Sequence, residues 1–479
     1  MTAGLRPYPD YADSGRPWLG AIPAHWDVRR NGRLFAPRNE TGFGDLPILE
    51  VSLKTGVRVR DMENLARKQV MSDRGKYKRA AQGDIAYNMM RMWQGAVGVA
   101  PVDGLVSPAY VVARPYPETD SRYFSYLFRI SAYMAEVDGY SRGIVKDRNR
   151  LYWDDFKRMP SCFPPTEEQR VIADYLDANA TLIRKFVRNR RRLIEVLNEQ
   201  KQAIISRAVS RGLDPSVRLE PSGVDFVGEI PQGWEVVTLR YLATKFGSGV
   251  TPRGGAAVYQ QTGIQFLRSQ NIHFDGLRLD GVARIAPELH TQLSVTHVRP
   301  NDVLLNITGA SIGRVCAVPA GFTEANVNQH VCIIRPRLDR LIPEYLAAYL
   351  STGFMQREIY VEQNGASREG LALDAIRAFK VILPPLNVQR DILGYLSKST
   401  AALVGACQRA ECEIELIREY RTRLIADVVT GKLDVRHLAP APEDFESEDL
   451  GPIEGEEDFD DELTDGEEAD LEEVAHADD

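Results

Sequence analysis

The residue types that stand out in this chain are suited to binding a polyanion. Between Lys54 and Arg91 there are ten basic and four acidic residues. Lys and Arg side chains hold phosphate groups, whereas Arg, Asn, Gln and Ser can read base edges. The alternative for each residue is a solvated surface position, and for the Met and Trp of NMMRMWQG it is burial. The candidates in this stretch are Lys54, Arg58, Arg60, Arg74, Lys76, Lys78, Arg79, Asn88, Arg91, Trp93 and Gln94.

A second set of candidates lies in the C-terminal half. The sequence FLRSQNIHFDG places polar side chains after an apolar run, where a loop following a strand is expected. TGASIGR can offer backbone N–H groups and a guanidinium to a phosphate. For His330 a hydrogen bond is favoured over a metal, because no other His or Cys has suitable spacing. The candidates here are Arg253, Arg268, Ser269, Gln270, Asn271, His273, Thr308, Ser311, Arg314, Asn328, Gln329 and His330.

Motifs for catalysis are missing from the sequence. Neither Pro-Pro pair belongs to an Asn/Asp-Pro-Pro-aromatic motif, and there is no GxxxxGK[ST]. FGSGVTPRGG fits a turn better than a cofactor loop, because Pro252 and Gly254 follow where a helix should start. Five scattered cysteines without a CxxC indicate a reducing compartment. We therefore expect a non-catalytic chain with no catalytic residues, no metal site and no cofactor of its own.

Charge is distributed unevenly along the chain. From Ala441 onward there are 20 acidic residues and no Lys or Arg, which leaves 59 basic and 47 acidic residues elsewhere. A basic body of this kind suits a polyanionic partner. Residues 437–479 have too little apolar content to form a core, so we predict a disordered acidic tail. The sequence has no apolar run of membrane length and no signal-peptide pattern, which predicts a cytoplasmic protein without a membrane partner.

The elements that must position the candidates occur twice. SGRPWLGAIPAHWDV at Ser14 matches SGVDFVGEIPQGWEV at Ser222, and PPTEEQR at Pro164 matches PPLNVQR at Pro384. QGDIAYNM and PNDVLLNI match between these points, and SRAVSRGLD and ADVVTGKLD match after them. Because the order is preserved, the pattern indicates a duplicated unit of roughly 210–220 residues.

Each copy has two parts. The first is rich in Gly, Pro and short β-branched runs, which predicts a mixed α/β domain. The second starts after Pro-Pro, where a helix can begin. We predict that the Thr166 hydroxyl caps the first helix and that Asn387 has a comparable role in the second.

Both predicted helices have apolar residues at alternating steps of three and four over roughly 40 residues, the pattern of a coiled coil about 60 Å long. Antiparallel pairing is expected, since it relates two copies by a pseudo-twofold axis. This pairing is predicted to bring Arg184 and Lys185 close to Glu411, Glu413 and Glu415. The predicted packing residues are Ile172, Leu176, Ile183, Phe186, Leu193, Leu197, Ile204, Ile392, Leu396, Leu403, Ile417, Tyr420 and Leu424.

Over about residues 7–436 the chain resembles the specificity (S, HsdS-type) subunit of a type I restriction-modification system. The resemblance is carried by YPDYADSGRPWLGAIPAHWDV, by both PPxxxQRxIxxYL helix starts, by IPQGWEVVTL and by DVLLNITGASIGRV. It implies an α+β fold in which two mixed α/β target-recognition domains are separated by two long antiparallel coiled-coil helices, an internal duplication with pseudo-twofold symmetry. The implied divisions are 1–163 and 214–383 for the recognition domains, 164–213 and 384–436 for the helices, and 437–479 for the tail.

The resemblance also implies a function. Each recognition domain would read one half of a bipartite double-stranded DNA target, and the helices would set the spacing and dock two methyltransferase subunits. Restriction/translocase subunits would join the full complex, which serves DNA methylation and phage defence. S-adenosylmethionine, ATP and Mg²⁺ are then expected on partner subunits. The alternatives are a component of a fused modification-restriction enzyme with an unrecognised active site, or a stand-alone DNA-binding regulator or scaffold.

Overall fold

The structure is a computed structural model, and it describes residues 5–53, 55–60, 74–143, 149–224, 226–364 and 370–438. The chain divides into two compact units. Unit 1 comprises Met1–Arg191 with Glu411–Asp479, and unit 2 comprises Arg192–Ala410. Each unit therefore holds the beginning of one long helix and the end of the other. The domain boundaries predicted from the sequence follow chain order instead and stay a prediction.

Short strands dominate the N-terminal part of unit 1, because Gly and Pro interrupt its β-branched runs. They are β1 (Tyr11–Asp13), β2 (Ala21–Pro23), β3 (Asp27–Arg30), β4 (Phe35–Pro37), β5 (Leu49–Ser52), β6 (Gly56–Val59), β7 (Lys78–Ala80), β8 (Ile85–Asn88), β9 (Val97–Val99), β10 (Gly104–Val106), β11 (Tyr110–Pro115) and β12 (Pro160–Phe163). An antiparallel sheet has the order β4-β11-β8-β9, and β3 pairs with β12. The helices are α1 (Ser121–Phe128), α2 (Ser131–Tyr140), α3 (Trp153–Phe156) and the long α4 (Thr166–Arg211).

Unit 2 repeats this plan with an addition. Its strands are β13 (Leu219–Pro221), β14 (Glu229–Pro231), β15 (Glu235–Thr238), β16 (Ala243–Ser248), β17 (Ile264–Leu267), β18 (Ile272–His273), β19 (Gly276–Leu277), β20 (Ala283–Ile285), β21 (His297–Val298), β22 (Val303–Asn306), β23 (Val315–Ala317), β24 (Ala325–Val327), β25 (Val331–Pro336) and β26 (Lys380–Leu383). The sheet β16-β25-β22-β23 has the order of the unit 1 sheet, and β15 pairs with β26 as β3 does with β12. A further sheet, β20-β17-β24-β21, includes the parallel pair β17–β24.

Apart from α5, the helices of unit 2 follow the same order as those of unit 1. They are α5 (Pro287–Gln292), α6 (Pro343–Leu350), α7 (Gly353–Asn364), α8 (Leu373–Ala378) and the long α9 (Leu386–Val429). In unit 1, α1 packs its buried aromatic face, including Tyr123, Phe124 and Phe128, into the core. In unit 2, α6 does the same with Tyr345, Leu346 and Tyr349. Matching sheets and matching helices confirm the predicted α+β class and the internal duplication.

The long helices run antiparallel. In unit 1, Ile172 and Leu176 near the start of α4 share a core with Leu424 and Val428 near the end of α9. Further along α4, the Arg190 Nε lies 2.6 Å from Glu413 Oε2. Helix α4 has 46 residues, so it extends for about 69 Å. The predicted antiparallel pairing is confirmed, but the expected partner of the acidic group was wrong: Glu413 pairs with Arg190, not with Arg184 or Lys185.

The predicted packing residues of the long helices differ in burial. Leu193 is 38% exposed, whereas Val187, which the prediction omitted, is fully buried. Because 3.6 residues make one turn, a strict heptad stripe drifts around a straight helix over several turns. The buried members are Ile172, Leu176, Ile183, Ile392, Leu396, Ile417 and Leu424, and the half-buried members are Phe186, Leu197, Ile204, Leu403 and Tyr420.

A buried glutamine fixes the start of each long helix. Gln169 Nε2 donates to Pro164 O at 2.8 Å, and its Oε1 accepts from the Asp120 N–H at 2.9 Å. Gln389 repeats this arrangement with Pro384 O at 2.8 Å and the Ile342 N–H at 2.9 Å. Each glutamine thereby ties a long helix to the residue that immediately precedes α1 or α6.

The predicted capping role of Thr166 was wrong. The helix already includes Thr166, and the Thr166 hydroxyl donates to Glu118 O. Asn387 is likewise inside its helix, which begins at Leu386, and its side chain is exposed. A residue with helical backbone angles cannot act as the extended N-cap.

The C-terminal ends of α9 and α4 make matching contacts, each with a buried tyrosine and with an IPxxW motif. Tyr123 Oη donates to Val429 O at 2.9 Å, and Tyr345 Oη donates to Val209 O at 3.2 Å. Gly431 and Gly212, which follow the helix ends, have φ of 78° and 72°. A Cβ on Gly431 would lie 2.3 Å from the Pro23 ring, and one on Gly212 would lie 3.1 Å from the Trp234 ring. The repeated IPxxW motif therefore packs against the left-handed turn that ends a long helix.

Candidate nucleic-acid interface

Both units present the same hairpin turn. In unit 1 it joins β8 to β9, and in unit 2 it joins β22 to β23. Asn88 and Asn306 end the first strands with buried side chains, and their N–H groups donate to Ala96 O and Arg314 O. The turns close with a glycine in the left-handed region, Gly95 or Gly313. The duplicated sequence thus folds into two loops of equal length that are closed in the same way, whose side chains differ.

The side chains on the two hairpin turns have different chemistry. In unit 1, Trp93 Nε1 donates to Met90 O at 2.9 Å, while Gln94 is exposed. Arg91 is half-buried in the same turn. In unit 2, Thr308, Ser311 and Arg314 are all half-buried, and Gly309 and Ala310 form the exposed tip.

Unit 2 brings several predicted residues into one polar chain. Thr308 Oγ1 hydrogen-bonds the His330 ring at Nδ1, and the other ring nitrogen lies 2.8 Å from Gln329 Nε2. Gln329 Oε1 in turn accepts from the Thr251 hydroxyl. Thr251 belongs to a stretch that sequence reasoning treated only as a turn. The nearby sequence signal is Gly249, because a glycine can mark a place where the chain passes close to another strand. A Cβ at Gly249 would clash with Val327 O.

A second connection holds the turn after β17 against the hairpin. Asn306 Nδ2 donates to Ser269 O at 2.8 Å and to Ser311 Oγ at 3.1 Å. This buried amide therefore fixes two predicted stretches relative to each other. Together with the chain from Thr251 to Thr308, it gathers four separate stretches of unit 2 into one surface, which we call the unit 2 loop cluster (Thr251, Ser269, Gln270, Thr308, Ser311, Gln329 and His330).

Some candidates of unit 2 serve the fold. Asn271 is buried, donates to Arg278 O at 2.8 Å and accepts from the Arg268 N–H at 2.9 Å. Asn328 is also buried, and its Oδ1 accepts from the His330 N–H. We leave these two side chains out of the proposed interface.

The other unit 2 candidates keep outward-facing groups. The Arg268 guanidinium lies 5.4 Å from the centre of the Tyr259 ring, a cation–π contact, and its buried Nε has no hydrogen-bond partner among the residues that the structure describes. Gln270 and Arg253 are exposed. The His273 ring is half-exposed and lies 3.0 Å from Gln270 O.

In unit 1, ion pairs occupy part of the basic stretch. Arg58 Nε lies 2.5 Å from Glu50, and Arg79 bridges Glu40 and Asp103 at 3.0 and 2.8 Å. These guanidinium groups are thus partly neutralised before any ligand arrives. Asn88 accepts from the Met90 N–H, so its buried amide also serves the fold.

The remaining basic candidates of unit 1 differ in exposure. Lys78 Nζ donates to Tyr110 O at 3.0 Å, and burial lowers the pKa of this amine. Arg60 follows β6 and is half-buried. Arg74 and Lys76 are exposed. Lys54 lies outside the described residues.

No group of three or more His, Cys, Asp or Glu that could hold a metal ion occurs among the described residues. In that same part of the chain, no helix is long and apolar enough to cross a membrane.

Comparison with known proteins gives the family. Residues 231–410 match the family described as Type I restriction modification DNA specificity domain. The type I restriction enzyme EcoBI specificity subunit of Escherichia coli is 23% identical over 293 residues, which cover 58% of this chain and 60% of that protein. The putative type I restriction enzyme MjaX specificity subunit of Methanocaldococcus jannaschii is 24% identical over 438 residues, covering 87% and 96%.

The chain is similar to type I restriction-modification specificity subunits.

One solved structure supports the fold described above. It comes from work on complex assembly and conformational transition of the type I R-M system. The match has a TM-score of 0.57 at 16% identity and covers 85% of this chain and 98% of that chain. At that identity the likeness concerns the fold alone, and the choice of DNA-contacting residues must come from this chain's own side chains.

Proposed function

We propose that this chain is the non-catalytic DNA-recognition subunit of a type I restriction-modification complex. Each unit reads one half of a bipartite target in double-stranded DNA. The paired long helices set the unspecified gap and dock two methyltransferase subunits. Restriction/translocase subunits join in the full complex, and S-adenosylmethionine, ATP and Mg²⁺ act on those partners.

One observation carries this proposal: the duplicated hairpin turn is closed in the same way in both units but carries unlike side chains. The fold fixes how the turn closes and leaves its outward residues free to differ. Two readers of different half-sites need that variation, because base edges are distinguished by hydrogen-bonding side chains. The residues we propose to face DNA are Arg74, Lys76, Arg91, Trp93 and Gln94 in unit 1, and Arg253, Arg268, Gln270, His273, Thr308, Ser311, Arg314, Gln329 and His330 in unit 2.

Single amide side chains test which unit reads which half. Gln270→Ala or Gln329→Ala should relax base choice within one half-site, since a good base contact is worth about 1–3 kcal/mol. Gln94→Ala should affect the other half only. The measurement is a map of methylated genomic sites in cells that express each variant with its methyltransferase. Gln408→Ala, on the exposed face of α9, is the control. Changes in both half-sites from one substitution would contradict the proposal.

Exposed apolar residues on the long helices are the proposed docking points. Unit 1 exposes Leu182 and Leu416, which are 55% and 58% accessible. Unit 2 exposes Val196 and Tyr395, which are 43% and 44% accessible. Exposed apolar residues of this kind on the long helices of both units suit the docking of one methyltransferase subunit per unit.

Charge insertion tests the docking. Leu182→Glu should remove one methyltransferase subunit from the purified complex, because a carboxylate at an apolar interface core is costly. Thr422→Glu, at an exposed position of α9, adds the same charge and should leave the stoichiometry unchanged. An unaltered mass of the Leu182→Glu complex in light scattering would refute this docking point.

The role of the helices as a spacer is tested by insertion. One heptad added to both long helices lengthens each by about 10.5 Å, which corresponds to about three base pairs at about 3.4 Å per step. The methylation map should then show the same half-sites with a longer gap. Altered half-sites with an unchanged gap would show that the helices do not set the spacing.

A further inference from the structure

One face of α4 contacts α1, and the same face continues along the helix beyond that contact. Asp174 Oδ1 and Asp177 Oδ2 lie 2.7 and 3.1 Å from the guanidinium of Arg122, and Tyr126 Oη donates to Asp177 at 2.7 Å. These contacts place α1 on one face of α4. Steps of four, three, four and three residues from Asp177 along that face reach Thr181, Arg184, Arg188 and Arg191.

The continuation is basic. From Arg184 to Arg192 there are six basic residues and no acidic one. Arg184 donates to the Thr181 hydroxyl, and Arg188 and its neighbour Lys185 are exposed. Within the described part of the chain, no carboxylate lies within 4 Å of Arg184, Lys185, Arg188 or Arg191. The Arg191 Nη1 is buried and has no hydrogen-bond partner there either.

The fold does not require this charge. The second copy of the helix places Val404, Gln408 and Glu411 at the positions equivalent to Arg184, Arg188 and Arg191. That helix forms and pairs equally well. The buried seam of α4 in this region consists of Ile183 and Val187, with Arg190 beside it. The basic face is therefore an addition to one copy, and it suits a partner of opposite charge.

We propose that Lys185, Arg188 and Arg191 hold the phosphate backbone of the unspecified DNA gap. This rests on the proposed function. The basic face begins about 10 Å beyond Asp177 along the helix axis and reaches about 21 Å, within one DNA turn of about 34 Å. A duplex read by the recognition domain of unit 1 passes phosphates over that distance. Lys and Arg side chains bind such phosphates whatever the sequence, which suits a gap whose bases are not read.

The test is the triple variant K185Q/R188Q/R191Q in the full complex with its methyltransferase subunits. Binding is measured over a range of salt concentrations to two duplexes of equal length. One contains the target sequence identified by the methylation map, and the other has a scrambled sequence. The logarithm of the affinity should fall with the logarithm of salt less steeply, by about 2–3 units, at about 0.9 per lost phosphate contact. The loss of affinity should be equal for both duplexes, so the complex should keep its preference for the target duplex.

The matched control is R418Q/R423Q/K432Q, which removes the same charge from exposed positions of unit 1. A salt slope for K185Q/R188Q/R191Q equal to that of the control overturns the inference. So does loss of a methyltransferase subunit from the complex, which would assign the face to a partner protein. Tighter rather than weaker binding would assign it to the acidic C-terminal segment, and that also overturns it.

Failure of the inference is separable from failure of the proposed function. If the unmodified complex does not prefer its target over the scrambled duplex, the proposed function fails, whatever the helix variant does. If the preference holds and hydroxyl-radical protection of the gap backbone is the same in the triple variant and the control, only the role of the basic face is refuted.

Discussion

Replacing Gln389 with Leu tests whether one buried amide fixes the start of α9. Gln389 is fully buried, and it donates to Pro384 O and Arg340 O at 2.8 and 2.9 Å while accepting from the Ile342 N–H at 2.9 Å. Leucine has similar volume and makes none of these bonds. A buried group left without a partner costs about 1–3 kcal/mol, and Pro384 is itself buried. We expect the free energy of unfolding of unit 2 to fall by about 2–4 kcal/mol, a large part of a domain's stability.

Tryptophan resonances can report the loss of stability separately for each unit. Of the five tryptophans, Trp234 is the one in unit 2. In protein labelled with fluorotryptophan, the Trp234 resonance should reach its urea midpoint earlier in Gln389→Leu than in the unmodified chain. The resonances of the unit 1 tryptophans should move less. Gln169→Leu should give the reverse pattern.

The neighbouring residue provides the control. Arg390 is exposed, and Arg390→Ala should change the free energy of unfolding by no more than about 0.5 kcal/mol. A Trp234 midpoint in Gln389→Leu equal to that in Arg390→Ala would refute the reasoning, because it would mean that the three hydrogen bonds are replaced by water at no cost.

Three further predictions concern other parts of the chain. Asp302 is fully buried and paired with Arg335 at 2.7 Å, so Asp302→Asn should destabilise unit 2 by about 3–5 kcal/mol, which urea unfolding checks; a loss under about 1 kcal/mol would contradict it. Burial raises the pKa of Cys162, Cys316 and Cys332 to about 12, whereas Cys412 is exposed. Since thiolate is the reactive form, iodoacetamide at pH 8 should label Cys412 first and the buried thiols only after unfolding. Truncation after Leu438 removes 20 carboxylates and should tighten non-specific DNA binding most at low salt; equal affinities would leave the tail a solubilising role.

The fold followed from the sequence wherever a pattern was periodic or repeated. The heptad spacing predicted both long helices and their packing on each other, because an apolar stripe on a solitary helix would stay in water. The duplication predicted that they pair antiparallel, since that direction relates two copies by a pseudo-twofold axis. The details of pairing were less accessible. Which arginine meets Glu413 depends on the relative shift of two helices, and several basic residues in Arg184–Arg192 satisfy the same charge pattern. Only the three-dimensional register selects Arg190.

The candidate site was predictable in outline but not residue by residue. Polar types after strands predicted loops, and the structure gathers three of those stretches, together with the stretch of Thr251, in the unit 2 loop cluster. The sequence could not separate Gln270, which is exposed, from Asn271, which closes a turn from within. Both are short amides in one loop, and their roles differ only through contacts with distant residues such as Arg278. The added sheet β20-β17-β24-β21 was not predicted, because its strands are only two to four residues long and show no clear alternation.

The duplication lets the chain serve as its own comparison. Residues that keep the same contacts in both copies are those the fold needs: Gln169 and Gln389 at the helix starts, Tyr123 and Tyr345 at the helix ends. Residues that differ at matching positions are free of that demand, and they divide into two kinds. On the hairpin turns both copies carry polar groups of unlike chemistry, as two readers of different sequences require. On the long helices one copy is basic where the other is not, and this asymmetry is expected if a single DNA duplex lies along one side of the helix pair.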